Sequence, residues 1–137
     1  MRTLLIACGN SLRGDDGVAH RVLELLGARA EARSVMQLTP ELAAEIAGFD
    51  TVVFLDAAAG IQTVIIEDVP QPTAPAPLSH VSRSSEVVAL SIALFGFHGR
   101  ALECRIPVAD FAAGQQLSPV AERFANQAAQ LLRERTS

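Results

Sequence analysis

Four residues could do chemistry together in this 137-residue chain: Asp15 and Asp16 in "GNSLRGDDG", Asp56 closing "TVVFLD", and His80 closing "VPQPTAPAPLSH". The paired acids stand where a polar loop gives way to a helical pattern. An acid there can cap free backbone N–H groups and complement the helix dipole, which accounts for one of the two. Asp56 follows an apolar strand, and the next element is again strand-like, so no helix is there for it to cap. An unpaired carboxylate at the mouth of a buried strand is costly and points to a bound partner. Two carboxylates and one imidazole make a borderline-hard donor set, suited to a first-row divalent metal such as nickel or zinc. Three protein ligands leave a position open for water or substrate.

The remaining polar residues have plainer readings. His20 follows Asp16 by four positions, so the two could share a helix face as a metal pair, or His20 could simply be solvated. His98 in "GFHGR" reads as a loop residue, and Glu86 as an acid in the first turn of a helix. Gly9, Gly14 and Gly17 bracket the first loop, where they permit a tight turn and close backbone approach. "GNSLRG" lacks the Lys-Ser/Thr of a phosphate loop and is not G-x-G-x-x-G, and adjacent acids would repel a phosphate.

The elements that must carry these groups alternate between strand and helix. "TLLIAC" is a continuous apolar run, as in a strand buried on both faces. Val18, Val22, Leu25 and Leu26 form one helical stripe that Gly27 ends. "EARSVMQL" gives a second strand, and Thr39-Pro40-Glu41 starts a helix ending near Gly48. "DTVVFLDAAAG" is a third strand. "TVIIEDV" follows too closely for a crossover helix, so it should run antiparallel to the third. Pro70, Pro72, Pro75 and Pro77 impose an extended loop. "SSEVVALSIALF" is apolar nearly all round, a helix packed on more than one side. "ALECRIPV" is the last strand, and Ser118-Pro119 opens a final helix with Val120, Phe124, Ala128 and Leu131 on one face. This order predicts a single domain over residues 1–137: a three-layer α/β/α sandwich around a mostly parallel five-stranded sheet with one antiparallel strand. Ligands bind such sheets outside the C-terminal strand ends, where the Asp15–Asp16 pair, Asp56 and His80 should converge.

Composition narrows the function. The chain is 50% hydrophobic and 19% charged, enough apolar material for one core, and it has neither Trp nor Tyr. Phe49, Phe54, Phe95, Phe97, Phe111 and Phe124 are its large apolar pieces. The net charge is −4, every basic residue is Arg, and the eleven Arg are scattered, which argues against nucleic-acid binding. "VVALSIALFGF" is far short of a membrane span, and the N-terminal run reads as a strand, not a signal peptide. Cys8 and Cys104 have no metal or redox spacing and read as buried free thiols in a reducing compartment, so a cytoplasmic protein is expected. No long heptad pattern or flat apolar helix suggests an obligate oligomer, which leaves a monomer as the expectation.

"GNSLRGDDG", with Asp56 after an apolar strand and His80 before a helix, resembles the hydrogenase maturation proteases. These endopeptidases trim the C-terminus of a nickel-containing hydrogenase large subunit. The resemblance covers nearly the whole chain in element order. It implies that Asp16, Asp56 and His80 are the catalytic and nickel-contacting residues. It also implies that the nickel is carried by the hydrogenase large-subunit precursor, with no tightly held cofactor in the enzyme. The segment "SVMQLTPEL" departs from the family, which usually has a Gly-rich turn there, often after an acid. Ala19 stands where relatives commonly keep a Gly. The first of these regions is expected to touch the substrate.

Two other functions can be written on the same residues. Paired acids after strand one and an Asp after strand three also describe magnesium-binding phosphoacceptor receivers. Those need a Lys after the last strand and a helix between strands three and four, and this chain offers neither. A non-catalytic metal-recognition or chaperone module would use the same three ligands without cleaving.

Overall fold

The computed structural model describes residues 2–10, 14–27, 31–70, 83–108 and 116–136. Five strands form one sheet in the order β2-β1-β3-β5-β4. They are β1 (Thr3–Cys8), β2 (Glu31–Val35), β3 (Thr51–Ala58), β4 (Ile65–Asp68) and β5 (Arg100–Pro107). The pairs β1–β2, β1–β3 and β3–β5 are parallel, and β4 runs antiparallel to β5. Helices α1 (Val18–Leu26), α2 (Leu42–Ile46), α3 (Ser84–Phe95) and α4 (Pro119–Thr136) complete the sandwich.

β1 and β3 are apolar without alternation because both of their faces are covered. Leu5, Ala7, Val53, Leu55, Leu102, Cys104 and Ile106 pack under α1 and α4. Leu4, Ile6, Val52 and Phe54 point the other way, against Leu42, Ile46, Val87 and Val88 of α2 and α3. The expected α/β/α sandwich is thus the observed one, and α3 has the bounds read from the sequence.

Several details differ from the sequence reading. β4 runs against the other strands, but its neighbour is β5: the crossover through α3 places β5 along the edge of β3 and leaves β4 outermost. β2 stops at Val35, so Met36, Gln37 and Leu38 are freed from the ladder. The buried stripe of α4 is Ala121, Ala125, Ala128 and Leu132, one position round from the expected face, while Val120 is exposed. Alanines let α4 lie close to α1, which a Val-Phe-Leu face would prevent. α3 is not packed all round: Val87, Val88 and Ser91 are buried, but Ile92, Leu94 and Phe95 at its last turn are exposed.

Candidate functional site

The site is built at the C-terminal ends of β1, β3 and β5. β1 leads into Gly9, whose φ of +149° suits only glycine. A Cβ there would collide with the backbone carbonyl oxygen of Asp16, so the missing side chain lets the strand end and the acid-bearing turn touch. Two hydrogen bonds fix this approach. Asn10 N–H donates to Asp16 Oδ2 at 2.7 Å, and His20 Nε2 lies 2.7 Å from the Gly9 carbonyl oxygen, to which it donates. His20 therefore braces the loop and is not paired with Asp16 as a metal ligand.

The two adjacent acids have separate tasks. They lie in a 3-10 turn, Gly14–Gly17, that precedes α1. Asp15 is fully buried and accepts hydrogen bonds from Ser118 N–H and Ser118 Oγ–H, both at 2.8 Å. Ser118 Oγ in turn accepts the Ala121 N–H at 3.1 Å, which caps α4. Asp15 is thus the capping acid, though the helix it serves is α4. Asp16 is partly exposed at the sheet rim.

Asp56 lies near the end of β3 and reaches solvent. Partial burial of its carboxyl among the surrounding strand ends pushes it up to about 6 from the ordinary 3.8. A hydrogen bond from Ala57 N–H opposes the shift, while the charges of Asp16 and Glu103 reinforce it. The Cys8 thiol is pushed up to about 11, first by burial and then by the charges of Asp56 and Asp16. Asp16, Asp56 and Cys8 thus lie near one another at the rim. His80 lies outside the described residues. Among the described residues, no three His, Cys, Asp or Glu side chains are placed to hold a metal ion together. Of the expected set, two carboxylates are in view; hard oxygen donors of this kind fit a divalent ion and leave its remaining positions to other ligands.

Beside Asp56 a cavity of about 520 Å³ opens. Met36, Leu38, Phe54 and Pro70 give it apolar walls, and Cys8, Asp56, Arg83, Glu103 and Arg105 its polar groups. Cys8 is therefore only half buried, and the expectation of a wholly buried thiol holds for Cys104 alone. Ser84 Oγ–H, at the start of α3, donates to Glu103 Oε1. Glu86 accepts the Arg83 N–H at 3.3 Å, so this acid closes its own helix start, as expected. Sequence reasoning passed over Glu103 and Arg105. Their signal was present in "ALECRIPV": two charges two residues apart in a central strand must share one face, and that face must be open or paired.

Fold and site together define an α/β sandwich with two acids at its C-terminal rim, beside a half-apolar cleft. The absence of a helix between β3 and β4, and the antiparallel β4, exclude the receiver architecture. Solved structures share the fold from end to end. [NiFe] hydrogenase maturation protease HybD from Thermococcus kodakarensis superposes with a TM-score of 0.75 over 100% of both chains at 19% identity. HycI, a [NiFe] hydrogenase maturation protease from Thermococcus kodakarensis KOD1, gives 0.72 over 97% of this chain and 90% of its own, at 24% identity. The hydrogenase maturating endopeptidase HybD from E. coli gives 0.74 over 98% and 94%, at 19% identity. No protein-family model and no curated protein matches the chain. The chain has the fold of the hydrogenase maturation proteases. Among the described residues, no helix is long and apolar enough to cross a membrane.

Proposed function

We propose that this chain is a hydrogenase maturation endopeptidase, removing the C-terminal peptide of a nickel-containing hydrogenase large-subunit precursor. The observation that carries the reading is geometric: Asp16, tied to Asn10 just past the end of β1, and Asp56, near the end of the adjacent strand β3, stand at the same rim of the sheet. It occurs within a fold shared along the whole chain with proteins that bear this activity in their names. Asp16, Asp56 and His80 are the residues we assign to the substrate's nickel, so the enzyme itself needs no tightly held metal. Docking the precursor by its metal sets the scissile peptide against the rim. Water then adds to the peptide carbonyl, the C–N bond breaks, and the departing tail takes up a proton as its new amine. The cleft lined by Met36, Leu38 and Phe54 lies beside Asp56, in position to take the chain near the cut. It includes Met36, Gln37 and Leu38, from the segment that departs from the family's Gly-rich turn, and to these residues we assign client choice. The unpaired Cys8 and Cys104 accord with a reducing cytoplasm, and we take the working form to be a monomer.

The direct test is incubation with a nickel-loaded large-subunit precursor, followed by the mass of the product. Loss of the tail mass is expected with the wild type and not with Asp16→Ala, Asp56→Ala or His80→Ala. Binding without any change in mass identifies a recognition module instead. Undiminished cleavage by Asp56→Ala removes the basis of the assignment.

A further inference from the structure

Asp56 has an arginine as its immediate neighbour and does not pair with it. The parallel register of β3 and β5 sets Asp56 directly beside Arg105, and both side chains line the same cavity. Alternation places them on one face of the sheet, a strand spacing of about 4.8 Å apart. A carboxylate and a guanidinium on neighbouring strands so placed are within reach of a close ion pair. Here the guanidinium turns the other way. Arg105 Nη2 donates to Glu67 Oε1 at 2.6 Å, across the antiparallel pairing of β5 with β4. Its Nε is buried and, among the described residues, has no hydrogen-bond acceptor. A buried donor without a partner is costly, so Arg105 retains a drive to find a second acceptor. Asp56 is the acid beside it.

We propose that Glu67 is a positioning residue: it holds Arg105 off Asp56 and so keeps the Asp56 carboxylate free to meet a cation. The inference rests on the reading of Asp56 as a contact for the substrate's nickel. A carboxylate committed to a guanidinium has fewer lone pairs for a metal and loses the ion pair when it binds one. Glu67 occupies the guanidinium from the edge strand, where its carboxylate is half exposed and touches neither Asp16 nor Asp56 by any hydrogen bond. The arrangement is thus a competition between two carboxylates for one arginine, set by the neighbours β5 has on its two sides.

The test is a double-mutant cycle of Glu67→Gln and Arg105→Gln in the full chain, with two readouts. The first is processing of the nickel-loaded precursor. Glu67→Gln should lower kcat/KM about tenfold in the Arg105 background, the effect of one charge-assisted hydrogen bond discounted for exposure. In the Arg105→Gln background, Glu67→Gln should make no difference. The second readout does not depend on cleavage: labelling of the Asp56 carboxyl by a water-soluble carbodiimide and an amine, resolved by mass spectrometry. Glu67→Gln should slow labelling at Asp56 when Arg105 is present and leave it unchanged when Arg105 is gone. Equal effects of Glu67→Gln in both backgrounds, or none in either, overturn the proposal. Glu67→Asp, which keeps the charge, should restore most of the labelling, and failure to do so counts against it equally. If labelling follows the cycle and no precursor is cut by the wild type, the gating of Asp56 stands and the proposed function falls. If cleavage is normal and labelling ignores the cycle, the reverse holds.

Discussion

Asp15 and Ser118, 103 positions apart, are joined by two hydrogen bonds of 2.8 Å, one to the backbone N–H and one to the hydroxyl. This contact separates two acids that look equivalent in "GDDG". Asp15 is turned inward to hold the start of α4 and is fully buried, whereas Asp16 is left at the rim. One carboxylate stabilises the sandwich, and its neighbour is available for chemistry.

Replacing Asp15 with Ala should therefore cost about 3 kcal/mol, the loss of two partly buried hydrogen bonds to a carboxylate. Urea denaturation measures it directly. Ser118→Ala should cost less, since the backbone N–H still reaches Asp15, and the double variant should lose less than the two single losses added together. Processing at a temperature where Asp15→Ala remains folded should persist, because its carboxylate faces α4.

Asp56 makes a prediction about pH. Its folded value of about 6 lies above the ordinary 3.8, so the folded state holds its proton more tightly than the unfolded chain. The contribution to stability is complete below about pH 4 and is lost as pH rises through about 6. Asp56→Asn cannot ionise. Its melting temperature should therefore gain on that of the wild type between pH 4 and pH 7, while processing is lost. A difference that shrinks over this range contradicts the assignment.

Gly9→Ala should disable the site from outside the ligand set. A methyl group there strains the backbone at a φ of +149° and strikes the Asp16 carbonyl. Displacing Asp16 should cost more activity than the roughly 1–3 kcal/mol of lost stability explains. Activity measured well below the melting temperature separates the two effects.

Cys8, in the cleft, and Cys104, in the core, report on the charge at the site. Burial pushes Cys104 up to about 12, and burial with the two rim acids pushes Cys8 up to about 11. Both should react slowly with iodoacetamide at pH 8, since the thiolate is the nucleophile. Asp56→Asn removes one of the charges acting on Cys8, so alkylation there should quicken while Cys104 is unchanged.

Much of the fold was legible because its signals are local. The unbroken apolar runs of β1 and β3, the Ser118-Pro119 helix start and the bounds of α3 follow from the period of a strand or helix and from end chemistry. So does the position of Asp56, since an acid after a buried run must emerge at the strand's mouth, and that of Asp16, which stands where the loop after β1 turns into a helix. His80 was read the same way, from the Pro-rich arm before it, and lies outside the described residues. What the tertiary structure alone decided depends on which segments become neighbours. That Asp15 serves the start of α4 rather than that of α1 appeared only when Ser118 arrived beside it, and the buried face of α4 turned on how closely α1 approaches its alanines. The pairing of β4 with β5, which gives Arg105 a choice between Asp56 and Glu67, has no trace in local periodicity. Periodicity fixes the face a residue takes within its own element; the charge it meets across the gap is set by chain topology.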